Sequence, residues 1–463
     1  MSNYDSALKV EQRSIEFIPE DERHGSAWGL FTVWFAANMQ VTTVVTGALG
    51  VILGLPLPAA IVALVIGNLV GAIFMALHSA QGPKLGIPQM IQSRAQFGFY
   101  GAALPLVLVI LMYIGFFATS AVLGGQALAS VTHLNLDLSI VLVSAACSVL
   151  AAYGYRLIHM ANRWISLISG VGFLYLTIRL FSSHDVAEQW HGGSVPFGTF
   201  LLVVAIAATW QITYAPYVAD YSRYLPKNTS VRATFWWTYL GTVVGTIWMM
   251  AFGSIAVAVA SSAFNGGSVG FITGLSPGGH AVFGLMIILG IIAVNVLNLY
   301  GCFMSSVTVF TTLHRHGINQ SVRISYVIGA AIVGTLTALL GQGNFLNNYT
   351  NFILFLAYFL IPWTSINLID FYVVRKERYN IAAIFDPNGE YGGVNWRTII
   401  AYSVAVLVEI PFMNSTFYVG VMVKHLGGAD ISWIIGIFVS AGLYYVLMRP
   451  AIARGELAHT ATN

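Results

Sequence analysis

Apolar residues in this chain do not alternate with polar ones. They come in runs of about 20 or more, the length a helix needs to cross the hydrocarbon of a bilayer. Twelve runs follow one another, at residues 27–53, 56–78, 102–130, 137–157, 160–182, 197–218, 233–260, 279–309, 322–341, 348–373, 398–422 and 431–449. All are expected to be helices, because an open strand edge in lipid leaves backbone groups unpaired. The intervening breaks are too short for a soluble domain. The pattern therefore predicts one transmembrane domain over 27–449, with tails at 1–26 and 450–463. The first tail holds six acids and no apolar core, so it reads as a solvated segment and not as a secretory signal.

Composition supports this pattern. Only 8% of the residues are charged, against about 25% in a soluble domain, too few to cover a water-facing surface. A net charge of +3 offers no basic face for nucleic acid. The two cysteines, Cys147 and Cys302, lie in apolar runs and supply neither a disulfide framework nor a metal cluster. With the N-terminus inside, eighteen of the 20 Lys and Arg fall on the cytoplasmic side, and only Arg179 and Lys424 fall outside. That bias places both termini in the cytoplasm of a cell-membrane protein.

Signals for an enzyme are weak. GGSVG (266–270) and GLSPG (274–278) match a nucleophile-elbow pattern but follow no strand, and His314 with His316 flanks Arg315 in an inner loop that reads as a solvated edge. Gly50 with Gly54, Gly67 with Gly71 and Gly241 with Gly245 have the spacing that lets helices approach closely.

Polar groups inside the runs are more telling, because each is costly in lipid unless it is paired or lines a cavity. The first run carries Asn38, Gln40, Thr42, Thr43 and Thr46; the sixth carries Thr209, Trp210, Gln211 and Thr213 just before Pro216. Two interrupted spans at matching places five helices apart point to an inverted-repeat transporter; plain interhelical hydrogen bonding is the alternative. The eighth run adds Asn295 and Asn298, three apart on one face. Tyr113, Phe116 and Phe117 surround Gly115 in the third run, where aromatics either pack or stack on a flat ligand. Glu409 is the one carboxylate near the centre of a run, a functional candidate or a hydrogen-bonded structural group.

GPKLGIPQMIQSRAQFG (82–98), ADYSRYLPK (219–227), NLIDFYVVRKERY (367–379) and VNWR (394–397) together resemble the nucleobase and cation symporters of the purine, cytosine, allantoin and hydantoin permease family, over roughly residues 20 to 450. The resemblance implies an all-α membrane protein of twelve transmembrane helices. Its architecture would be a LeuT-like five-plus-five inverted repeat (27–182 and 197–373) followed by two extra helices (398–449). It implies a secondary active transporter, not an enzyme, that imports a small planar nitrogen heterocycle such as cytosine or a purine by cation symport and alternating access. A related ring (allantoin, a hydantoin, a vitamin precursor) and a passive channel for a small polar solute are the alternatives. Carried over residue by residue, the helix 3 aromatic falls on Phe116, with Tyr113 one turn earlier. The helix 6 position falls on Gln211 beside Trp210, which assigns stacking to Trp210 and hydrogen bonding to Gln211 and Thr213. Gln40, Asn295 and Asn298 complete the implied substrate site. For the coupling ion, H+ or Na+, the implied groups are backbone carbonyls near Ala37 and Gln40, together with Asn298. Leu299 stands where sodium-driven relatives offer a hydroxyl, which favours a proton, with Glu409 a candidate carrier and Asp220 another. No other cofactor and no metal is implied.

Overall fold

The computed structural model describes residues 15–153, 155–313 and 320–453. Lys9, Arg13 and Arg454 in the tails, and the His314–Arg315–His316 loop, lie outside the described residues. The fold is helical, and the described residues hold a single isolated bridge, Asn414 to Val419.

The first run is two helices, α1 (Trp28–Ala37) and α2 (Val41–Ile52), bent by 65° at the break between them. Then come α3 (Leu57–Ser79), the short α4 (Gly82–Leu85) and α5 (Gln89–Phe97), α6 (Ala103–Thr132), α7 (Leu136–Tyr153) and α8 (Tyr155–Ser183). The sixth run is α9 (Phe197–Ile212) and α10 (Ala215–Ser222). It is followed by α11 (Val231–Val259), the short α12 (Ser261–Gly266) and α13 (Ser268–Gly274), α14 (His280–Leu313), α15 (Gln320–Gly341) and α16 (Phe345–Ile369). The chain closes with α17 (Ile381–Ile384), α18 (Trp396–Glu409) and α19 (Ser432–Ala453).

Every predicted run contains helix, but length and hydropathy alone identify eight spanning stretches among the described residues, or nine with the bent pair counted as one. The count of twelve is not reached that way, because α15 and α16 form one stretch of 51 residues and both α7 and α18 are short. The helix expected over 398–422 stops at Glu409. Ile410–Phe412 is a 3-10 turn around Pro411, which has no N–H for a helical bond, and an irregular segment leads to α19. The expected interruption of the sixth run is slight: Thr213 and Tyr214 form a turn inside a continuous 26-residue stretch.

Three packed groups emerge. α1, α2, α3, α9, α10 and α11 form one; α6, α7, α8, α14 and α15 form a second; α16 packs with α18 and α19. Glycines set the first group's spacing. A Cβ at Gly67 or Gly71 on α3 would overlap the α9 backbone at Val204 or Ala208, and one at Gly241 on α11 would lie 2.5 Å from the Phe31 carbonyl of α1. Large apolar side chains such as Val282 and Leu340 stand exposed on the outside of the bundle, as lipid-facing residues do.

Candidate substrate site

The site begins at the α1–α2 break. Asn38 ends α1 and Gln40 is extended (φ −142°, ψ 153°), so α1's last carbonyls have no helical partners. The chain's own amides meet them: Asn38 Nδ2 donates to the Trp34 carbonyl at 2.8 Å and Gln40 Nε2 to the Ala37 carbonyl at 2.8 Å. Asn38 Oδ1 accepts from Trp210 Nε1 (3.0 Å) and from the Tyr214 hydroxyl (3.1 Å), which ties the break to α9 and α10.

A narrow cavity of about 40 Å³ opens beside this break, between the first and second helix groups. Gln40, Thr42, Trp210, Thr213, Tyr214 and Tyr217 form one wall; Phe116 and Ser120 of α6 and Val294 and Asn298 of α14 form the other. Phe116 meets Trp210 edge-on, ring centres 6.0 Å apart and planes at 88°, and is backed by Phe352 of α16 at 5.1 Å. A ring sandwiched between two others needs roughly 7 to 8 Å, twice a carbon–carbon contact of about 3.5–4.0 Å, so Phe116 and Trp210 are closed against each other here. The cavity as it stands has room for a few waters. A larger and more open space of about 370 Å³ lies on the α15 side of α6 and α14. It is mostly apolar and contains none of the predicted site residues.

Of the predicted substrate residues, Gln40, Phe116, Trp210, Thr213 and Asn298 line the cavity. Tyr113 and Asn295 stand just behind its wall. Tyr113 packs on Tyr217 at 5.8 Å and against α14 where Gly301 has no side chain; Asn295 donates to the Phe117 carbonyl (3.1 Å) and accepts from Asn298 Nδ2 (3.1 Å). Gln211 is not in the lining. Its amide donates to Asn68 Oδ1 at 2.8 Å and Thr246 Oγ1 at 3.0 Å and accepts from Thr242 Oγ1 at 2.6 Å, so all its bonding is directed into α3 and α11.

Among the ion candidates, the Ala37 carbonyl is engaged by Gln40, and Leu299 is buried. Glu409 is not brought to the cavity. It is buried where α18 meets α19, against Gly436, and neither of its oxygens has a hydrogen-bond partner.

Sequence reasoning missed Ser120, Tyr214 and Tyr217. Ser120 lies one turn after Phe116, a spacing that places both on one face of α6. Neither the Ser120 nor the Tyr217 hydroxyl makes a hydrogen bond among the described residues, and both side chains border the cavity. Tyr214 and Tyr217 follow Trp210 by four and seven residues, the period of one helical face, which was the available signal. Away from the cavity, Arg94 of α5 donates to Thr312 of α14 at 2.9 Å and lies over Phe99; burial pushes its guanidinium down to about 10.

Comparisons with known proteins bear on the family and the fold. The family profile described as a permease for cytosine/purines, uracil, thiamine and allantoin matches residues 17–436. YxlA, a candidate purine-cytosine permease of Bacillus subtilis (strain 168), is 48% identical over 447 residues, covering 96% of this chain and 98% of that protein. The purine-cytosine permease fcyB of Emericella nidulans is 28% identical over 461 residues, 96% of this chain and 89% of its own. The inward-facing structure of Mhp1 superposes with a TM-score of 0.78 at 21% identity, covering 97% of this chain and 95% of that one. A closed structure of the same nucleobase-cation-symport-1 transporter, with bromovinylhydantoin bound, gives 0.76 at 21%, covering 96% of each. The structural likeness carries the fold, and the sequence matches carry the family: the chain belongs to the permease family for cytosine/purines, uracil, thiamine and allantoin.

Proposed function

We propose that this protein is a secondary active transporter that imports a cytosine- or purine-type nucleobase by cation symport, alternating access to the cavity between the first and second helix groups. The observation that carries the reading is the composition of that cavity. Two aromatic rings, Phe116 and Trp210, meet edge-on from opposite groups, beside Asn298 Oδ1 and the Ser120 and Tyr217 hydroxyls, which have no bonds of their own. A flat ring is held by stacking on such faces and oriented by polar edges. Separation of the two groups widens the slot, and their approach closes it. The twelve-span, five-plus-five arrangement with both termini in the cytoplasm belongs to the same proposal, supported by the charge bias and by the α1–α2 break.

The proposed coupling ion is the proton. A sodium ion takes several oxygen ligands in place of its water, but the Ala37 carbonyl already accepts from Gln40 and Leu299 brings no oxygen, which leaves Asn298 Oδ1 as a single free oxygen among these groups. Glu409 is the proposed proton carrier: burying an ionised carboxylate with no partner is costly, and α18 packs on α16, whose Phe352 backs Phe116. Uptake of labelled cytosine and adenine into sodium-free proteoliposomes is the test. An imposed inward proton gradient should drive accumulation; accumulation that follows a sodium gradient alone overturns the coupling, and no saturable uptake of either base overturns the substrate. Relatives named as thiamine and vitamin B6 transporters of Saccharomyces cerevisiae, 23% and 25% identical, favour a vitamin ring as the second reading.

A further inference from the structure

α5 is an unusual helix for the inside of a protein. Its sequence, QMIQSRAQF, is mostly polar, yet all nine residues are buried. Buried polar groups are normally paired, and each exception calls for an explanation. Gln89 and Gln92 lie three apart on one face of α5 and are 0% and 1% exposed. Gln89 Nε2 donates to Gln92 Oε1 at 3.2 Å and to Gln81 Oε1 at 3.2 Å, which holds the two amides side by side. What is left over is Gln89 Oε1, an acceptor, and Gln92 Nε2, a donor, and neither has a partner.

An adjacent free acceptor and free donor complement an amide or amidine edge, in which an N–H stands next to a carbonyl or ring nitrogen. Glutamine recognises the adenine edge by the same pairing. Aromatic side chains line the way from the substrate cavity toward α5. Tyr214, Tyr217 and Tyr221 recur at helical spacing on one face of α10; the first two line the cavity, and Trp34 of α1 packs on Tyr221 at 5.2 Å. The residue before Tyr221 is Asp220, whose Oδ1 accepts the backbone N–H of Gln89 at 2.8 Å. The tyrosine face therefore ends beside the first turn of α5, which carries Gln89 and Gln92. Every nucleobase has a face on which an aromatic side chain can stack, so such a face tolerates many ring sequences and identities.

We propose that Gln89 and Gln92 form a second binding station for the transported heterocycle, on the cytoplasmic side of the cavity, reached along the tyrosine face of α10. The station rests on the nucleobase-transport reading. It is closed in this structure, with α5 packed against α10, α16 and α18, and it takes the ring's amide-like edge when the inner path opens. Its two amides grip the ring only from the cytoplasmic side, so the station affects release and rebinding and not capture from outside.

The test is the sidedness of adenine and cytosine half-saturation in oriented proteoliposomes, for wild type, Gln89→Met/Gln92→Met, the single Gln92→Met, and Trp210→Ala as a control. Met keeps the length of Gln and removes the unpaired polar atoms, so a purely structural amide pair predicts unchanged or higher thermal stability and unaltered transport. The station predicts half-saturation from the inside weakened by about five- to ten-fold, the loss of one to two hydrogen bonds, with the outside value unchanged. Slower exchange of internal for external base should accompany it. Equal shifts on both faces, or no shift on the inside, overturn the station. If the double variant does not fold, Gln92→Met alone carries the same prediction at reduced size. Trp210→Ala should weaken both faces; absence of saturable binding in the wild type from either face would instead overturn the underlying transport reading.

Discussion

The two sides of α9 differ in how completely their polar groups are paired. Toward α3 and α11, Gln211 makes three side-chain hydrogen bonds, to Asn68, Thr246 and Thr242. Toward α6 and α14, its neighbour Trp210 gives its only donor to Asn38 and leaves its ring against Phe116, where Ser120, Tyr217 and Asn298 keep polar atoms free. The two residues are adjacent in sequence and look equally functional there. The contrast supplies a criterion: inside a membrane bundle a fully paired polar side chain reads as scaffold, and one with spare bonding capacity beside a cavity is a candidate for the site.

The largest effect on stability should come from the scaffold side. Gln211→Ala leaves three buried partners short of a bond, each worth about 1–3 kcal/mol when stranded, so about 3 kcal/mol or more of stability should be lost. Thermal unfolding in detergent would register it, and the surviving folded fraction should bind nucleobase with unchanged affinity. A stable Gln211→Ala protein that no longer binds would move Gln211 to the site side and break the comparison. Next in size is Trp210→Ala, expected to weaken nucleobase binding about ten-fold through lost ring contact, measurable by equilibrium dialysis or scintillation proximity. Asn298→Ala sharpens the contrast further: affinity should fall about five-fold, one hydrogen bond's worth, with a stability loss of about 1 kcal/mol from the single stranded acceptor, Asn295 Oδ1, well below that of Gln211→Ala. A large melting-temperature loss there would mark the Asn295–Asn298 pair as scaffold instead.

The smallest effect on binding is expected at Glu409, which lies in neither wall. Glu409→Gln should leave nucleobase affinity within about two-fold, since no ligand contact is removed, while proton-driven accumulation falls. Uptake should rise as the outer pH falls in the wild type, because an inward proton gradient drives it, and this dependence should flatten in the variant. Accumulation that survives Glu409→Gln undiminished would shift the coupling role to Asp220, beside the cavity's tyrosines.

That the chain is a helical membrane protein, and which polar residues lie within its runs, is legible from the residues alone. Both follow from local physics: lipid demands long apolar helices, and an amide in such a helix is conspicuous whatever surrounds it. Asn38 and Gln40 predicted a break in the first run, and the structure bends there by 65°. Only the tertiary structure decided which amides are spare. Whether Gln211 points into a cavity depends on Asn68, 143 residues away in sequence. Whether α18 continues past Glu409 depends on Pro411 and on Asp430, which accepts the Asn414 N–H at 2.8 Å and the Tyr358 hydroxyl at 2.8 Å. Ser120 drew no notice as a sequence because a serine in an apolar helix usually bonds its own backbone; it matters here because α9, α10 and α14 leave a space in front of it. Pairing is a property of what faces a residue, and facing is set by how distant helices pack.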